Sequence, residues 1–61
     1  MIKLIAKTNR AKNKINHHGE FAEIIKTDHF KGEPAILVKH VDTGHLRWVL
    51  LNLKDAEFRV N

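Results

Sequence analysis

The sequence predicts a mainly β chain, a small, partly open barrel of about five strands with a short basic helical or loop segment near the N-terminus. Three observations predict it. Ile2, Leu4 and Ala6 alternate with Lys3 and Lys7, the period of two of a strand with one wet face. Residues 20–27, 34–41 and 46–53 are rich in Ile, Val, Leu, Phe and Trp, and turn residues bound each of them. Charge is uneven: Lys3, Lys7, Arg10, Lys12 and Lys14 fall in the first 18 positions with no acid among them, whereas from Gly19 onward six basic residues face seven acidic ones.

A chain of 61 residues accommodates a single domain, 1–61. At this size only about 60% of the unfolded surface is buried, so the core is small. The domain divides into a strand plus basic excursion, 1–19, and a β-meander with a helical turn and a last strand, 20–61. There is no cysteine, which excludes a disulfide framework and a thiolate zinc site and points to a cytoplasmic protein. No apolar run reaches the length of a signal-peptide core or the ~20 residues of a membrane span, so no membrane partner is expected.

After the first strand, Thr8 is placed to cap a helix and Gly19 to end it, with Ala11, Ile15 and His18 as a narrow buried stripe. Asn9, Asn13 and Asn16 oppose that helix, because their amides compete for backbone hydrogen bonds, and an irregular loop is the alternative. The first connection in the meander, 28–33, has hairpin length with Gly32 near its end. The second, Asp42-Thr43-Gly44, fits a three-residue hairpin loop with Gly44 left-handed. Such a loop pairs Val41 with His45 and sets Lys39 against Arg47, Val38 against Trp48 and Ile36 against Leu50. Both faces of the sheet are then largely apolar, which calls for a coiled sheet closing on itself or for a partner layer. Lys54 to Glu57 reads as one helical turn and 58–60 as a last short strand.

This order of elements resembles the SH3-like small barrels. Gly19, Glu23-Ile24-Ile25, Phe30-Lys31-Gly32-Glu33-Pro34-Ala35, Thr43-Gly44 and Arg47-Trp48-Val49 are also similar to short uncharacterised bacteriophage-encoded proteins. The resemblance implies a binding module and carries no catalytic motif. The chain has no Tyr, and without an aromatic-lined groove proline-rich peptide binding is disfavoured.

A cationic segment on a balanced body suits a polyanion, since each neutralised phosphate releases counterions. Lys7, Arg10, Lys14 and His17 lie at i, i+3, i+7 and i+10 and share one face of a helix, with Lys12 beside them in sequence. Lys39 and Arg47, expected opposite each other with Lys26 nearby, form a second basic site, or else mark a wrong register. Phe30, between His29 and Lys31, is a candidate for stacking a base, while Trp48, Phe21 and Phe58 read as core rings. The five histidines match no metal-ligand spacing. The chain lacks Ser and Cys nucleophiles and a Gly-rich phosphate loop, so neither enzyme activity nor a cofactor is expected. The expectation is a non-enzymatic module that binds nucleic acid, DNA or RNA, through its basic segment. The alternatives are a phage-type regulator docking on a host protein through its sheet, and a self-associating homo-oligomer.

Overall fold

The computed structural model describes residues 1–51 and 56–61. Strand β1, Ile2–Ala6, buries Leu4 and half-buries Ile2 and Ala6, as the alternation requires. Helix α1, Asn9–His18, follows. Thr8 is its cap: its backbone is extended and its Oγ1 accepts a 3.0 Å hydrogen bond from the Ala11 amide. Gly19 ends it at φ 92°, ψ 161°, donating its N–H to the Ile15 carbonyl at 2.7 Å. Only glycine adopts that backbone without strain. The asparagines do not unwind the helix, because both ends are capped and burial of Ala11 with packing of Ile15 outweighs their modest propensity cost.

Strand β2, Phe21–Phe30, pairs antiparallel with β3, Glu33–His40, and carries a bulge between Ile24 and Lys26. The first hairpin is tighter than the sequence suggests. Strand β2 runs on to Phe30, and the turn is Lys31-Gly32 with φ of 54° and 82°, the pair of left-handed residues that a two-residue hairpin of matching twist demands. Strand β4, Leu46–Leu50, pairs with β3, and β5, Phe58–Val60, returns beside β1. The order is β4-β3-β2-β1-β5, all antiparallel, in one sheet whose edges share no ladder. The expected helical turn at Lys54–Glu57 falls largely outside the described residues.

The β3–β4 register differs by one residue from the one expected. His40 donates its N–H to the His45 carbonyl, and Gly44 donates to the His40 carbonyl, both at 2.8 Å, so the loop holds four residues, 41–44, instead of three. Lys39 therefore faces Leu46, Val38 faces Arg47 and Leu37 faces Trp48. A slip of one residue moves every side chain of β4 to the other face. Arg47 thus turns inward beside Val38, and Trp48 turns outward beside Leu37.

The inner face holds the core: Leu4, Ala22, Ile36, Val38, Val49 and Phe58, closed at one end by Ala11 and Ile15 of α1. The Arg47 guanidinium of β4 lies 5.3 Å from the centre of the Phe58 ring of β5, so the sheet coils until its two edge strands face each other across this core. Phe58 is buried as expected, but Phe21 is 45% exposed on the outer face. No helix among the described residues is long and apolar enough to cross a membrane.

Candidate nucleic-acid interface

Helix α1 gathers the basic residues. At 100° per residue, Arg10, Lys14 and His17 fall along one side of it, next to the buried stripe of Ala11 and Ile15, while Lys12 lies across the helix from them. Lys7 precedes the cap and is exposed, outside the helical row. It donates its backbone N–H to the Glu57 carbonyl at 2.8 Å, and with Arg59 it flanks a groove whose walls include Ala56, Phe58 and Val60.

One carboxylate interrupts this surface. Glu57 accepts a 2.7 Å hydrogen bond from Lys14 Nζ at Oε2, and Arg10 Nε lies 3.8 Å from Oε1. The Lys14 hydrogen bond, with the nearby charges of Lys14, Arg10 and Arg47, holds the Glu57 carboxyl below its ordinary range despite partial desolvation. The helix itself contains no acid, and its first turn in particular has none. Electrostatics therefore does little to favour the α1 N-terminus, and its capping falls to Thr8.

The other predicted positions do not join this surface as one footprint. Lys39 and Arg47 are not opposite each other. Lys39 is exposed between Glu23 and Leu46, on the outer face. Arg47 points into the sheet's inner face and is half-buried, which lowers its proton affinity through desolvation, countered by Glu57. The unfavourable pairing of like charges came from the misplaced register. Phe30, at the tip of the hairpin and 36% exposed, lies 6.1 Å from Trp48 between ring centres, again on the outer face. Lys26 Nζ sits 5.6 Å from the Trp48 ring centre and Lys31 Nζ 5.5 Å from that of Phe30.

What the sequence did not reveal is a histidine clasp at the far end of α1. His40 is fully buried. Its Nδ1 lies 3.0 Å from the Gly19 carbonyl, and Arg47 Nε donates to its Nε2 at 3.0 Å. A guanidinium can only donate, so Nε2 is the acceptor and Nδ1 carries the proton, which fixes a neutral imidazole in a single tautomer. Burial, and then the Arg47 charge, lower the proton affinity of His40 against the opposing pull of the Gly19 hydrogen bond. His18, at the C-terminus of α1, stacks on His45 of the turn with ring centres 4.1 Å apart and planes 10° apart, and its Nδ1 meets Thr43 Oγ1 at 3.1 Å. Desolvation and then the neighbouring His45, His17, His40 and Arg47 lower its proton affinity too. The available signals were the placement of His18 on the buried stripe and the position of His40 and His45 on either side of a turn. Among the described residues, no group of three or more His, Cys, Asp or Glu side chains is arranged to hold a metal ion.

The chain matches no protein-family model, no curated protein and no solved structure.

Proposed function

We propose that the protein is a small, non-enzymatic binding module of the SH3-like barrel type that contacts nucleic-acid phosphates through the basic sides of α1. The carrying observation is the capped helix itself, which sets the backbone positions of Arg10, Lys12 and Lys14 with no acid between them and with Glu57 as the ion-pair partner at its flank among the described residues. A helix loses less backbone entropy on meeting a phosphate backbone than a loop of the same composition. Lys7 and Arg59, flanking the groove next to the helix, extend the positive surface. Lys39 and Phe30, which lie on the outer face, and Arg47, which turns inward, drop out of this footprint. The barrel part of the reading draws support from the last strand lying beside the first and from the coiling that brings Arg47 over Phe58.

Fluorescence anisotropy against single- and double-stranded DNA and RNA tests this reading. The expected result is affinity that falls linearly in log salt, and that drops at least tenfold, about 1.4 kcal/mol, when Arg10, Lys12 and Lys14 are replaced by Ser. Absence of binding at low salt contradicts it. A second reading, a phage-type module that docks on a host protein through its sheet, draws on the exposed Phe21 and Leu46. It requires binding that is insensitive to those basic residues.

A further inference from the structure

The outer face of the β2-β3-β4 sheet carries an apolar stripe along β3 and β4 that no element of the described chain covers. The observed register sets Phe21, Leu37, Leu46, Trp48 and Leu50 on this one face, and the Phe30 ring reaches over to Trp48. Phe21 and Leu46 are 45% and 55% exposed, and Leu37, Trp48 and Leu50 are only half-buried. Contiguous exposed apolar surface of this kind is rare on monomers and marks an interaction site.

The charges around the patch identify the occupant. Lys3 and Lys39 with Glu23 stand at the end of the face near Phe21, and Asp28 and Glu33 with Lys31 stand at the hairpin end. One end therefore carries a single net positive charge and the other a single net negative charge, with Lys26 between them over Trp48. Such a face attracts a polyanion little, because Glu23, Asp28 and Glu33 lie within it. It does complement a copy of itself turned end for end about a twofold axis running across the strands, since each basic end then meets an acidic end. The cations of α1 lie on the helix that closes the inner side, away from such a contact.

We propose that two copies of this chain associate face to face through the outer surfaces of β2, β3 and β4, with Leu37 and Trp48 at the centre and the basic ends crossed over the acidic ends. The product is a sheet-on-sheet sandwich whose shared layer enlarges the small core of each copy. Trp48 is the only tryptophan, so it reports on burial of this face directly.

The test is sedimentation equilibrium of nuclease-treated protein from about 5 to about 500 µM, with Trp48 emission recorded over the same range. The expected result is a shift from monomer to dimer mass with rising concentration, accompanied by a blue shift of the emission. Leu46→Glu and Phe21→Glu, both at exposed positions at the end that meets Asp28 and Glu33 of the second copy, should each weaken dimerisation at least tenfold while circular dichroism and dilute-solution melting stay as in the unmodified chain. A monomeric mass throughout the range overturns the proposal, and if an added oligonucleotide then quenches Trp48, the face belongs to nucleic acid instead. A dimer that survives the Leu46→Glu, Phe21→Glu double variant overturns it as well, and moves the contact to an edge strand.

Discussion

Helix α1 is fastened along its side by charge and at its last residue by histidine rings, and the two attachments differ in what they can tolerate. Glu57 meets Lys14 and Arg10 near solvent, where the Arg10 side chain is 82% exposed. Ion pairs in that setting contribute roughly 0 to 1 kcal/mol, and a competing phosphate can take the cations over. At the other end, His40 is buried with both ring nitrogens engaged, and His18 stacks on His45. That contact is built from ring packing and hydrogen bonds, and it fixes where the helix ends relative to the β3–β4 loop. The contrast separates a solvent-facing basic surface from an anchor that sets its position.

The largest effect should come from breaking the anchor. His40→Ala leaves the Gly19 carbonyl and the Arg47 guanidinium without their partner and opens a cavity, so a loss of roughly 2 to 4 kcal/mol is expected in chemical denaturation. A loss below that of a surface substitution would remove His40 from the anchor.

Acid should distinguish the two attachments next. His40 and His18 have lowered proton affinity in the fold, so the unfolded chain binds more protons, and stability falls as pH drops through the ordinary histidine value of about 6.5. The Glu57 carboxyl is also lowered, so its contribution is present above the ordinary carboxylate range and is lost only as pH falls through and below about 4.5. Thermal melts between pH 7.5 and 3 should therefore decline in two stages. His18→Asn should flatten the upper stage and Glu57→Gln the lower one; exchanged effects would contradict the assignment.

Capping ranks third. Thr8→Ala removes the acceptor of the Ala11 amide and should cost about 1 kcal/mol, read as reduced helicity and a lower Tm. The smallest change in stability, under about 1 kcal/mol, belongs to Glu57→Gln, which nevertheless should tighten nucleic-acid binding by releasing Lys14 and Arg10. Weaker binding in that variant would mean that Glu57 orients those side chains for the ligand.

Much of this was legible in the residues. The alternation of Ile2, Leu4 and Ala6, the Thr8 and Gly19 caps and the three meandering strands are local patterns, and all of them appear in the fold in that order, although β2 runs three residues further than the pattern suggested, to Phe30. The faces of β4 were not legible. Asp42-Thr43-Gly44 supports a three-residue loop as well as the tail of a four-residue one, and that single residue decides whether Arg47 or Trp48 points inward. The clasp was beyond local pattern for a different reason: the observed β3–β4 register makes His40 and Arg47 diagonal neighbours on paired strands, and His18 joins them from the end of the helix. Of the candidate interface, the basic helix was readable from spacing, while its neutralising partner Glu57 lies 43 residues from Lys14 and left no signal.

The most direct test of the central claim, that α1 is the nucleic-acid contact, is to follow backbone amide chemical shifts while a short oligonucleotide is added at low salt. The account predicts shifts concentrated at Lys7, along Arg10 to His17 and at Arg59, with the outer-face amides of Leu37, Leu46 and Trp48 unmoved. Shifts confined to those outer-face residues, with α1 silent, would contradict it.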